Sequence, residues 1–141
     1  MIATKTDKTY LVLNATAHQF TQKQFKALKE IIGKNKKFEI KELPKELKDK
    51  LLNCPDNDEE LLKLANELTS FIAQNDIDYL HLPIGSPAFM FLFAALFDLF
   101  LTSHGCTILF SHSVRKSIEQ TNPDGTVTKS SVFEFEKFIE I

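Results

Sequence analysis

The stretch Tyr79 to Leu101 reads YLHLPIGSPAFMFLFAALFDLFL, and its reading decides the fold. Tyr79 to Ile84 is apolar and rich in strand formers. Gly85-Ser86-Pro87 follows at once, with Ser86 suited to cap a helix and Pro87 suited to its first position. A Phe-rich helix then runs to about Ser103, where His104-Gly105 stops it. The run Ala88 to Leu101 is shorter than the ~20 residues that span a bilayer, and it contains Asp98. A helix buried between a sheet and another surface explains it better. A strand that feeds straight into a covering helix is the repeating unit of an α/β domain.

The same alternation extends outward. Upstream, Tyr10 to Asn14 (YLVLN) reads as a strand, and Ala15 to Phe20 as a polar connection. Thr21 with Gln24 three residues on makes a capping box, Phe25, Leu28, Ile31 and Ile32 keep helical spacing, and Gly33 closes the helix. Lys37 to Leu43 alternates unevenly and predicts an edge strand. Pro44 opens a short helix, Lys45 to Leu52. The segment NCPDN, Asn53 to Asn57, breaks it, and Asp58 to Gln74 forms a longer amphipathic helix. Downstream, Cys106 to Phe110 reads as a fourth strand. Arg115 to Gln120 and Thr126 to Glu136 flank Asn122-Pro123-Asp124-Gly125, a hairpin signal. The expected fold is one α/β domain over 1–141, an open, mainly parallel sheet followed by a C-terminal antiparallel β-hairpin.

Bulk composition narrows the function. The chain has 141 residues with 43% apolar and 26% charged, which suits one globular core. A net charge of -2 argues against binding long DNA or RNA, so a nucleotide ligand is expected to be small and held by a few placed groups. Cys54 and Cys106 lack metal-type spacing and read as reduced thiols. No H-x-x-x-H, C-x-x-C, G-x-G-x-x-G or Walker loop occurs, so neither a metal nor a dinucleotide cofactor is expected. Met1 to Lys8 is polar and unlike a signal peptide, which makes a cytoplasmic location the expectation, with no membrane partner.

Ligands of open parallel sheets collect beyond the carboxyl ends of the strands, where strand order switches. Three loops qualify. Asn14 to Gln19 carries Asn14, Thr16 and His18. Gly85-Ser86-Pro87 offers either a plain helix cap or an anion-binding helix N-terminus. Ser111 to Lys116 (SHSVRK) carries Ser111, His112, Ser113, Arg115 and Lys116. His18 is either a surface histidine or a proton-transfer group, and His112 is in the same position. His81, inside a strand, reads as a packed core or edge residue. Lys34, Lys36 and Lys37 fall at the opposite end of the sheet and read as a solvated face.

Read together, His18-Gln19-Phe20-Thr21-Gln22-Lys23-Gln24 and the tail Arg115 to Phe138 (RKSIEQTNPDGTVTKSSVFEFEKF) resemble the small Csx-type CRISPR-associated ring nucleases. The resemblance implies a Rossmann-like (CARF-like) homodimer that binds cyclic oligoadenylate, usually the tetra-adenylate, and cleaves it to switch off type III CRISPR signalling. Cleavage of this kind uses the ligand's own 2′-hydroxyl and needs no metal. In that reading His18 is the first choice for general acid or base, with His112 behind it. Arg115 or Lys116 supplies the cation, and Asn14, Thr16, Gly85, Ser86, Ser111 and Ser113 bind the ligand. Two rivals stand beside it. One is a module that binds the same messenger without cutting it. The other is an interaction domain that docks through Phe89, Phe93 or Phe97.

Overall fold

A computed structural model describes residues 8–82, 86–101 and 104–141. The chain order is β1 (Thr9–Asn14), α1 (Gln22–Ile32), β2 (Lys37–Glu42), α2 (Lys45–Leu52), α3 (Asp58–Gln74), β3 (Tyr79–His81), α4 (Pro87–Phe100), β4 (Thr107–Thr121) and β5 (Val127–Glu140). The five strands form one sheet in the order β2-β1-β3-β4-β5. All pairs are parallel except β4 with β5.

Local chemistry places the elements. Thr21 Oγ1 accepts from the Gln24 amide while Gln24 Oε1 accepts from the Thr21 amide, so the capping box at the start of α1 is complete. Gly33 ends α1 with a φ of 126°, a conformation that favours glycine. Ser86 Oγ accepts from the Phe89 amide at 3.2 Å, and Pro87 takes the first turn of α4. Asn122 to Thr126 make the tight turn between β4 and β5, with Gly125 at φ 84°.

Strand alternation then builds two cores. Leu13, Leu80 and Ile108 pack against α2, α3 and α4 in the larger one, with Leu64, Leu68, Phe89 and Phe93. Val12 and Leu109, one residue out of phase, pack with Phe20, Leu28, Ile32 and Phe138. Helices thus cover both faces, as a parallel sheet requires.

Two expectations are corrected. Ser111 to Lys116 is not a loop: β4 is continuous from Thr107 to Thr121, because β5 pairs with it far beyond the point where β3 stops. A register shift between His112 and Ser113 is the sole irregularity in that pairing. Phe89, Phe93 and Phe97 are buried in the core, so they cannot dock a partner. The exposed large apolar side chains of α4 are instead Phe91, Leu99 and Phe100. The segments 83–85 and 102–103 lie outside the described residues, and α4 ends at Phe100, capped by Leu101, rather than near Ser103 as expected. None of the described helices is long and apolar enough to cross a membrane.

Phe93 is 1% exposed and stacks between Phe89 and Phe97, with ring centroids 5.9 and 6.1 Å away. Phe93→Ala is expected to cost about 3–5 kcal/mol of stability. Urea unfolding with equal m-values would measure it, and a loss below 1 kcal/mol would contradict this packing.

Candidate functional site

The strand order puts a switch between β1 and β3. From β1 the chain goes through α1 to β2 on one side, and β3 lies on the other, so a crevice opens at their carboxyl ends. The last residues of these strands are Asn14 and His81, which are register partners. Both are buried, at 1% and 4% exposure, and β4 brings Ser111 alongside.

A hydrogen-bonded array joins them. Asn14 Nδ2 donates to the carbonyl oxygen of His18 at 2.8 Å, which leaves Asn14 Oδ1 facing His81 Nδ1 at 3.3 Å. An amide oxygen can only accept, so Nδ1 carries the proton of the neutral ring. His81 Nε2 is then an acceptor, and the Ser111 hydroxyl donates to it at 2.7 Å. Gln24 Nε2 approaches Ser111 Oγ at 3.4 Å. Thr16 Oγ1 lies 2.9 Å from both Asn14 Oδ1 and the His18 carbonyl, and accepts from the His18 amide at 3.2 Å. The loop after β1 is therefore folded back on its own strand end by Asn14 and Thr16.

Apolar rings enclose the imidazole. Phe20 and Phe138 stand with centroids 5.0 and 5.4 Å from that of His81. Burial pushes the His81 pKa down to about 4. A base that weak lies about three units below the optimum for proton transfer at neutral pH. The line Ser111–His81–Asn14 has the connectivity of a nucleophile, base and orienting group. Its physical effect is nevertheless positional: a fixed neutral imidazole holds the Ser111 hydroxyl.

The crevice encloses about 340 Å³, bounded by the loop Ala15 to Gln19 together with Gln24, Leu51, Leu52, His81 and Ser111. His18 is exposed at its edge, while Thr16 is buried in its wall. A larger groove of about 800 Å³ lies between α2 and α3. Its rim is charged surface, with Lys50 Nζ 3.5 Å from Glu67, and no buried polar group faces it, so the chemistry points to the smaller crevice.

Of the residues singled out from sequence, Asn14, Thr16, His18 and Ser111 converge here. His112, Ser113, Arg115 and Lys116 do not line the crevice. They stand on the extended part of β4, where His112 and Ser113 are exposed. The Arg115 guanidinium lies 5.2 Å from the Phe133 ring centroid, and Lys116 Nζ is 2.5 Å from Glu134, which also meets Lys23 at 3.3 Å. Ser86 caps α4, and Gly85 is outside the described residues. His81 and Gln24 were not foreseen as site residues. The position of His81 at the end of a strand flanking the switch was the signal available for it. Gln24 gave none, because its capping role accounts for only one end of its amide. Among the described residues, no three His, Cys, Asp or Glu side chains gather as metal ligands. Cys106 is buried, its thiol pushed up to about 12 by that burial.

The depressed His81 pKa has a sign. Unfolded, the ring titrates near 6.5; folded, near 4. Between those values the unfolded chain binds the extra proton, so stability falls as pH drops through that window. The loss approaches about 3 kcal/mol by pH 4. Urea midpoints across this range are expected to fall steeply for the wild type and less for His81→Gln. Parallel curves for the two proteins would refute the assignment.

Comparison with known proteins adds a family. No curated protein and no solved structure matches the chain. A family model described as the uncharacterized protein MJ1673 family matches residues 10–139. That span runs from the first residues of β1 almost to the end of β5, and so takes in the whole sheet and every residue of the crevice. The chain belongs to the MJ1673 family.

Proposed function

We propose that the crevice binds one nucleotide of a cyclic oligoadenylate, the tetra-adenylate in particular, and that the protein cleaves the ring without a metal. The observation that carries this reading is the convergence of Asn14, Thr16, His18, His81 and Ser111 at the switch between β1 and β3. The resemblance of His18 to Gln24 and of Arg115 to Phe138 to ring nucleases supports the substrate class. At about 340 Å³ the crevice is at the small end of ligand pockets, so one nucleotide enters while the rest of the ring overhangs. A homodimer with a two-fold axis would then present two crevices to one ring.

In this mechanism a 2′-hydroxyl of the ligand attacks the adjacent phosphorus. The P–O2′ bond forms and the P–O5′ bond breaks, leaving a 2′,3′-cyclic phosphate and a 5′-hydroxyl. Proton transfer falls to His18, which is exposed at the crevice edge, because His81 is too weak a base. Thr16, Ser111 and Gln24 Nε2 are the polar groups nearest the bound phosphodiester, and their fixed positions hold the attacking oxygen in line. Arg115 remains the cation for the overhanging part of the ring, since Lys116 is already paired with Glu134.

Purified protein mixed with labelled cyclic tetra-adenylate in chelator is expected to yield linear products ending in cyclic phosphate. His18→Ala is expected to bind the ring but to cut it ~10²–10⁴-fold more slowly in single turnover. An unchanged rate removes His18 from the mechanism. Bound but intact ligand converts the protein to a binding module, and no binding at all ends the reading.

A further inference from the structure

Beyond its first residues, β4 leaves the domain. Its parallel partner ends at the pair His81–Leu109, yet pairing with β5 continues to Thr121–Val127. The seven pairs from Arg115–Phe133 to Thr121–Val127 form a ribbon of about 24 Å at ~3.4 Å per residue. From Arg115 to Phe133 every residue except Asn122 is exposed, so neither face is covered. A two-stranded ribbon of this kind is marginal in water when it stands alone. By contrast α4, which also exposes apolar side chains, is seated on the sheet and on α3.

The surface area points the same way. The chain exposes 9766 Å², whereas a compact monomer of 16.1 kDa exposes about 7,400 Å². An uncovered ribbon adds to that exposure, and one side of a stable interface takes about 800 Å². Apolar side chains sit on both faces of the ribbon. Alternation puts Phe133 and Val127 on one face and Ile118 and Val132 on the other, with exposures of 70, 53, 46 and 44%. With the turn and the next residue of β5 included, the charges from Arg115 to Glu134 balance: Arg115, Lys116 and Lys129 against Glu119, Asp124 and Glu134. A surface of that balance lacks the field that nucleic acid requires. It suits a two-fold contact, in which each patch meets its own copy without like-charge repulsion.

We propose that the ribbon Arg115–Thr121 with Val127–Phe133 is a dimerisation arm that packs against a second copy of this chain through the face that carries Ile118 and Val132, its central contacts. The arm supplies a contact surface for the homodimer invoked above. Dimerisation is read without nucleotide, so failure of either proposal leaves the other standing.

Sedimentation velocity of the full chain is expected to show a species of twice the monomer mass. Ile118→Lys and Val132→Lys are each expected to weaken it at least about thirtyfold, with the circular dichroism spectrum retained. Hydrogen exchange of the wild type provides a measurement free of folding defects: ribbon amides are expected to become protected as protein concentration rises. A wild type that sediments as a monomer at every concentration overturns the arm. So do dimers that survive both substitutions, dimers broken only by Phe91→Lys on α4, or ribbon exchange that is indifferent to concentration.

Discussion

Everything at the open end of the sheet depends on one neutral imidazole. His81 ends the short strand β3 and hydrogen-bonds to Asn14 at the end of β1 and to Ser111 on β4. Its ring is held between Phe20 and Phe138, so the same side chain joins three strands and touches the smaller core. Protonation would place a charge among those rings and turn Nε2 into a second donor facing Ser111, while burial holds the group neutral. No buried side-chain polar atom among the described residues lacks a partner, so the array is closed on itself and rigid.

That rigidity separates two kinds of residue around the crevice. Asn14, Thr16 and His81 are buried and mutually bonded, and they give the loop after β1 its shape. His18 has its backbone fixed by this network while the residue itself remains exposed. The crevice thus joins buried, mutually bonded residues to one exposed histidine at its edge, and the proton transfer proposed above falls to that histidine. The two cores, meanwhile, secure the sheet from opposite faces, so the strand ends that frame the crevice do not rely on ligand for their placement.

The C-terminal hairpin illustrates how a local signal can be right and its consequence missed. Asn122-Pro123-Asp124-Gly125 marks a turn from residue types alone, and the turn is there. Ser111 to Lys116, however, carries polar and charged residues that read locally as a loop. It is strand because β5 supplies main-chain partners to Glu140 at one end and Val127 at the other, a pairing between distant residues. The candidate cations on that segment consequently stand on an extended ribbon, away from the crevice lining.

Sequence by itself determined the elements whose causes are local: the Thr21–Gln24 capping box, the Ser86-Pro87 helix start, the Gly33 stop and the 3.6-residue spacing of α1 and α3. It also indicated Asn14, Thr16 and His18, because a loop after the first strand of a parallel sheet faces the ligand end. Tertiary structure alone decided that His81 belongs with them and that Ser111 is its partner while Arg115 is not. The reason is physical. Caps and periodicity act within a few residues of chain, whereas the His81 bonds span 67 residues to Asn14 and 30 to Ser111, and only the strand order brings those atoms within reach.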